Sequence, residues 1–197
     1  GFADRLVQQA ERFNCEMLKA QEVIHLRAEA ESHYVQTVDG HEYGARAVLI
    51  TTGSTYRRLG VPGEDELIGA GVHFCATCDG PFYRGQHVAV IGGGISAGEE
   101  SLFLSRFAEK VTILVRGEAM SASKIVVDKV SSNPKIEVRY NTQVQALHGN
   151  RKLMGITIHN NKTGAMEQIN PAGAFVFIGL TPNVEWLPDE IKRDPYG

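Results

Sequence analysis

Two cysteines stand three residues apart in Cys75-Ala76-Thr77-Cys78-Asp79-Gly80. Two intervening residues let the sulfurs close a small ring and reopen it without large backbone movement. Beside a βαβ pattern such a pair reads as a redox dithiol. The motif tends to lower one thiol pKa, which gives a thiolate able to attack or to accept electrons. Asp79 follows directly and is placed to hold or deliver a proton, provided burial raises its pKa. Two other readings compete. A structural zinc needs four ligands, and only His73 lies nearby; Cys15 is distant and there is no second C-x-x-C. The pair could also be two inert buried thiols. Cys15 reads as a lone buried cysteine without a role. His25, His33, His41, His87, His148 and His159 form no ligand spacing.

A second chemical segment follows. Val88-Ala89-Val90-Ile91-Gly92-Gly93-Gly94-Ile95-Ser96-Ala97 fits G-x-G-x-x-A at the end of an apolar strand and the start of a helix, the context that makes the pattern specific. Gly92 permits the tight turn, Gly94 lets the backbone approach a pyrophosphate, and Ala97 keeps the helix close to the strand. Free N–H groups and the positive helix end favour phosphate. The residue that reads the ribose belongs about 20 residues on, past the next strand. Arg116 stands there and suits a 2′-phosphate, favouring NADPH over NADH. Glu118 close by makes it a modest selector, and the competing reading of Arg116 is a solvated surface charge.

These segments need a scaffold. Asp4–Phe13 is expected to be an amphipathic helix, with Leu6, Val7, Ala10 and Phe13 on one face. Strands are expected near Glu16–Leu18, Val23–Arg27, His33–Val38 and Ala45–Thr51, with a hairpin turn at Asp39-Gly40. Gly60–Gly71, rich in glycine and carrying Pro62, Glu64, Asp65 and Glu66, reads as a linker. Strands at His87–Ile91 and Val111–Val115 alternate with helices at Ser96–Phe107 and Lys124–Val130. Strands at Ile136–Tyr140, Gln143–Leu147, Leu153–His159 and Ala174–Ile178 follow, with a turn at Asn160–Gly164. This order predicts an α/β fold: a Rossmann-like dinucleotide-binding domain with a parallel sheet and an antiparallel excursion, joined to part of another domain.

Composition narrows the function. The 197 residues carry a net charge of −3 and no basic stripe, which speaks against nucleic acid. No apolar run is long enough to span a bilayer. Three cysteines do not make a secreted disulfide scaffold, and a reducing, cytoplasmic compartment fits better. The chain opens at Gly1-Phe2-Ala3 and closes at Asp194-Pro195-Tyr196-Gly197, and it reads as a piece of a longer protein.

Taken together, Cys75–Tyr83 followed by Val88–Gly94 resembles bacterial-type, low-molecular-weight thioredoxin reductase, of the pyridine nucleotide-disulfide oxidoreductases. Thr51-Thr52-Gly53 with Leu59-Gly60-Val61-Pro62-Gly63 resembles the second FAD-domain motif. Gly173–Asn183 resembles the segment that returns towards the FAD domain. The resemblance covers nearly the whole chain. It implies a partial FAD domain at 1–65, an NAD(P)H domain at 66–182, and the start of the return at 183–197, with Gly60–Gly71 as one hinge of a domain rotation. It also implies that NADPH reduces FAD, FAD reduces the Cys75–Cys78 disulfide, and the dithiol reduces thioredoxin or a similar protein. Cys78 would face the flavin, Cys75 would attack the partner, and Asp79 would be the acid. The nicotinamide dinucleotide would be held by Gly92, Gly93, Gly94, Ile95, Ser96, Ala97, Glu100, Arg116, Lys124, Ile178 and Gly179, and the FAD by Thr52 and Gly53. No metal is implied, and the full-length protein would be a homodimer.

Two departures qualify this. The family's first FAD loop and its late Gly-Asp motif are not in this sequence, so the isolated piece is expected to be inactive and to bind little FAD. Typical members grip the 2′-phosphate with three arginines, where this chain has Val115, Arg116, Gly117 and Ser121 and keeps one. NADH therefore remains open as donor. Ile178–Leu187 looks closer to the flavoprotein reductase of alkyl hydroperoxide systems, although that relative usually has Pro and His between its cysteines. A redox- or nicotinamide-sensing module without turnover is the non-enzymatic alternative.

Overall fold

The computed structural model describes residues 1–194; the last three residues of the expected return segment lie outside the described part. The chain divides into two compact units. One is Gly1–Ser54 with the chain from Pro182 onward, and the other is Thr55–Thr181.

In the first unit, α1 (Phe2–Arg12) follows from the 3.6-residue spacing of its apolar positions. Strands β1 (Val23–Ala28), β2 (His33–Thr37) and β3 (Glu42–Ala45) form an antiparallel sheet in that order. The Asp39-Gly40 turn joins β2 to β3, with Gly40 at positive φ, as a tight hairpin requires. Asp39 accepts a hydrogen bond from Thr37 Oγ1 at 2.6 Å. Two expected strands do not form. Glu16–Leu18 and 46–53 are both irregular, without ladder partners, and Leu49 is 87% exposed. An apolar run becomes a strand only where a neighbour takes its N–H and C=O groups, and none of the described strands does so. Cys15 is exposed, not buried as expected, because α1 ends at Arg12 and buries none of its residues.

The strands β4 (Ser54–Tyr56) and β13 (Leu180–Pro182) pair where the chain enters and leaves the second unit. That unit then runs through α2 (Glu64–Leu67), β5 (Val72–His73), α3 (Ala76–Asp79), a 3-10 turn at Gly80–Tyr83, β6 (His87–Ile91), α4 (Ile95–Leu104), β7 (Lys110–Leu114), α5 (Lys124–Ser132), β8 (Ile136–Arg139), β9 (Thr142–Gly149), β10 (Leu153–Asn160), β11 (Met166–Ile169) and β12 (Gly173–Val176). Five strands form a parallel sheet in the order β5-β12-β6-β7-β8. The antiparallel excursion β9–β10–β11 is inserted between β8 and β12.

Both faces of the parallel sheet are covered, which is why its strands read as continuous apolar runs. Val88, Val90, Val111, Ile113 and Phe175 pack with Ala97 and Leu104 of α4 and Val126 and Val130 of α5. The alternate residues Ala89, Ile91, Leu114, Ala174 and Val176 pack against Val144, Leu147, Leu153, Ile156 and Ile158 of the excursion. Gly98 lets α4 and α5 approach, because a Cβ there would strike Val126.

The segment 60–71 is not a loose linker. Leu67 is buried in the core with Val61 and Ile68 packed against the same cluster. The Glu64 carboxylate, in a residue 3% exposed, accepts hydrogen bonds from the N–H groups of Leu59 at 2.9 Å and Gly60 at 2.8 Å. By its contacts the second unit therefore begins at Thr55, whereas the sequence expectation set a boundary at 65/66. Among the described residues no helix is long and apolar enough to cross a membrane.

Candidate functional site

The carboxyl ends of β6, β7 and β12 open into a cleft of about 790 Å³ within the second unit, where ligands of open α/β sheets bind. Gly92, Gly93, Gly94, Ile95, Ser96, Arg116, Ile178 and Gly179 all line it. Each glycine of the loop has its own reason. Gly92 has φ 142, and a Cβ there would run into the carbonyl of Phe177 and stand 3.2 Å from Ala97 Cβ. At Gly93 a Cβ would fall 2.8 Å from Val115 Cγ1. Gly94 faces open space, with Ser121 Oγ the nearest atom to an added Cβ at 3.9 Å. The loop is therefore packed on two sides and open at Gly94, where α4 presents its first N–H groups. That is the shape a pyrophosphate needs, and the chain's residues fit a dinucleotide here.

Other residues assigned from the sequence lie elsewhere. Ala97 is fully buried beneath the loop. Glu100 is half-buried on α4, and burial, with Glu99 adding to it, raises its carboxyl above the ordinary value. The Lys124 side chain is largely exposed, 3.8 Å from Asp128. In the first unit, Thr52 Oγ1 donates to Asn183 O at 2.8 Å, and Asn183 Nδ2 donates to Thr52 O at 3.0 Å. Gly53 accepts from Asn183 N at 3.0 Å. These bonds tie the Thr52–Gly53 segment to Asn183.

The sequence did not point to Arg57 and Arg58, which also line the cleft. Arg57 N donates to Gly179 O at 3.1 Å, and Arg58 lies 4.7 Å over the Phe74 ring. The loop carrying Arg116 is braced by the excursion. Asn161 Nδ2 donates to Arg116 O at 3.2 Å, and Asn141 N donates to Gly117 O at 2.8 Å.

The cysteines follow the carboxyl end of the edge strand β5. They form a disulfide across the single turn α3, which Cys75 caps. Cys78 N donates to Cys75 Sγ at 3.2 Å, and Thr77 Oγ1 lies 3.3 Å from the same sulfur. Cys75 is half-buried and Cys78 exposed. Gly80 seats the motif on α4, since a Cβ there would fall 2.8 Å from Leu104 Cδ2. Asp79 Oδ2 is 3.2 Å from His73 Nδ1, and His73 Nε2 is 2.6 Å from the Tyr83 hydroxyl. Burial holds His73 below the ordinary imidazole value against the pull of Asp79. It pushes Tyr83 up, with the Asp79 charge reinforcing the effect.

Comparison with known proteins agrees with this arrangement. A family model described as pyridine nucleotide-disulphide oxidoreductase matches residues 4–197. A thioredoxin reductase of Streptomyces clavuligerus is 40% identical over 194 residues, covering 98% of this chain and 60% of the relative. The crystal structure of Lactococcus lactis thioredoxin reductase superposes with a TM-score of 0.80 at 33% identity, over 90% of this chain and 58% of that one. The Streptococcus pyogenes thioredoxin reductase structure gives 0.78 at 36% identity, over 100% and 64%. The chain thus spans about three fifths of the length of the relatives it matches.

Proposed function

Because the chain belongs to the pyridine nucleotide-disulphide oxidoreductase family, we propose that it is the nicotinamide-binding, dithiol-bearing part of an NADPH-dependent flavoprotein that reduces the disulfide of thioredoxin or a thioredoxin-like protein. The observation that carries this reading is the Cys75–Cys78 disulfide on α3, with the Cys78 N–H directed at Cys75 Sγ. A sulfur that accepts a backbone N–H at the start of a helical turn is favoured as thiolate. Cys75 is therefore the attacking thiol.

The Cys75 thiolate attacks the partner's disulfide, forming a mixed disulfide and releasing one partner thiolate. The Cys78 thiolate then attacks Cys75 Sγ, closes the Cys75–Cys78 bond and releases the second partner thiol. Asp79 takes the proton as Cys75 becomes a thiolate and passes it to the departing partner sulfur, and it does the same for Cys78 in the second step, so that it ends as it began. When bound, the dinucleotide supplies the hydride whose two electrons, passed on through FAD, restore the dithiol. Gly92–Ser96, packed over the buried Ala97, would hold its pyrophosphate and Arg116 its 2′-phosphate, with Ile178 and Gly179 lining the same cleft; Glu100 and Lys124 would contribute from α4 and α5. Thr52 and Gly53 are the chain's own share of the FAD site. The whole protein is a homodimer in a reducing cytoplasm on this reading.

The test uses the chain with Cys15→Ser, so that the pair alone reacts. Thioredoxin activated as a mixed disulfide with thionitrobenzoate is mixed with Cys78→Ser or Cys75→Ser. Cys78→Ser should release thionitrobenzoate about tenfold faster and yield a stable conjugate on a non-reducing gel. The reverse order would exchange the roles of the two cysteines. Reaction of neither variant with thioredoxin would remove the reductase reading in favour of a sensor.

A further inference from the structure

We propose that His73 is a positioning residue for Asp79, holding its carboxylate for proton exchange with the Cys75–Cys78 pair through the hydrogen-bonded series Asp79–His73–Tyr83. The proposal rests on the reading of that pair as a redox centre.

The geometry is specific. Asp79 is bound to the pair through the backbone: its N–H donates to Cys75 O at 3.1 Å, and it is the next residue after Cys78. Its side chain turns instead to His73, whose side chain is only 10% exposed. The imidazole is held among aromatic rings. Phe175 lies 5.3 Å away at a tilt, and Tyr83 stands edge-on to both, 5.4 Å from His73 and 5.6 Å from Phe175. Gly173 makes room for the phenol, because a Cβ there would fall 2.5 Å from Tyr83 Cε1 and Cζ. Asp79 is the charged group that acts on both His73 and Tyr83, and Phe175 brings no charge from β12.

This series can serve Asp79 in either protonation state without charging the ring. With the carboxylate ionised, His73 Nδ1–H donates to it and Nε2 accepts from the Tyr83 hydroxyl. With the carboxyl protonated, its O–H donates to Nδ1, and Nε2–H donates to the Tyr83 oxygen. A hydroxyl that can rotate between donor and acceptor is what allows this. Burial favours the neutral imidazole throughout. A merely structural ion pair would need an imidazolium and would hold only the ionised state.

The test is a double-mutant cycle on the chain carrying Cys15→Ser, reduced with dithiothreitol and desalted. Alkylation by iodoacetamide is followed from pH 5 to 10, with the labelled peptide located by mass. The four proteins are the parent, His73→Phe, Asp79→Asn and the double variant. Asp79→Asn removes a negative charge beside the thiols, so thiolate forms at lower pH and alkylation at pH 7 should rise about threefold. His73→Phe keeps a ring against Phe175 but frees the carboxylate to swing into water, and should give a similar rise. The double variant should be no faster than Asp79→Asn alone. Should His73→Phe fail to fold, Tyr83→Phe, made alone and together with Asp79→Asn, completes the same cycle, with a smaller rise that vanishes when Asp79 is replaced. A histidine or tyrosine effect that persists undiminished with Asp79→Asn, or no effect in the presence of Asp79, overturns the proposal. Failure of the redox reading is separate: the pair would then not exchange with activated thioredoxin, whatever the cycle gives.

Discussion

Two glycines of one loop should respond oppositely to the same substitution. Gly94 has φ −85, as α4's first flanking residue, and an added Cβ meets nothing nearer than 3.9 Å. Gly94→Ala gains about 0.4–1 kcal/mol by restricting the unfolded chain and gives up a few tenths or more because alanine caps helices less well than glycine. The net effect should stay within about 0.5 kcal/mol, a melting shift of no more than about 2 °C for a chain this size. Binding should suffer, because the methyl occupies the space through which a pyrophosphate reaches the α4 N–H groups. Losing one charge-assisted hydrogen bond costs about 1.5–3 kcal/mol, which is about 10- to 100-fold in Kd. Gly92→Ala differs. Its φ of 142 strains any side chain by about 1–3 kcal/mol, and contact with the Phe177 carbonyl and Ala97 adds about 1–3 kcal/mol of overpacking. A melting point lower by about 5–15 °C follows. Calorimetric titration with NADP⁺ and thermal unfolding by circular dichroism measure both quantities on both variants. Gly94→Ala that binds NADP⁺ like the parent, with an unchanged melting point, would refute the cradle.

Other consequences follow from single contacts. Glu64→Ala leaves the N–H groups of Leu59 and Gly60 without their acceptor and should cost about 2 kcal/mol or more in urea unfolding, while Glu64→Gln should lose less; equal stability of Glu64→Ala and parent contradicts the pinned segment. His73 and His87 are both held below the ordinary imidazole value, chiefly by burial, so unfolding takes up protons. Their contribution is present above about pH 6.5, the unfolded value, and is lost as pH falls towards the folded values. Urea unfolding should show lower stability at pH 5 than at pH 7.5, and a flat profile would contradict neutral buried rings. Arg116→Ala should lower the ratio of NADP⁺ to NAD⁺ affinity about tenfold, the scale of a charged hydrogen bond; an unchanged ratio leaves Arg116 as a surface charge.

The parts of the fold that could be read from the sequence are those set by local pattern. His87–Ile91 is apolar throughout because both sheet faces are covered, and Gly92–Gly94 marks the turn that follows. The rest depended on distant partners. Ala45–Ile50 is apolar enough for a strand, but pairing is not a local property. Met166–Ile169 escaped notice because it is an edge strand whose first three residues are exposed, so no alternation marks it. Pro62 and the acids of 60–71 look like a solvated linker, yet Glu64 is buried on backbone donors. The cysteines and the glycine loop were legible because their chemistry is written in spacing. Arg57 reaches the cleft through Gly179, far along the chain. His73 could be weighed only as a zinc ligand until the turn through α3 and Gly80–Tyr83 brought Asp79 and Tyr83 to its two nitrogens.

On the proposed function, Cys75 and Cys78 are a working dithiol/disulfide pair. The most direct measurement is a redox titration of the Cys15→Ser chain in dithiothreitol buffers of set ratio, trapping free thiols and counting them by mass. A working pair gives one reversible transition with a two-electron slope, from no free thiols to two, approached identically from the oxidised and the reduced side. A pair that stays reduced under oxidising buffer, or titrates as two independent thiols, would contradict it.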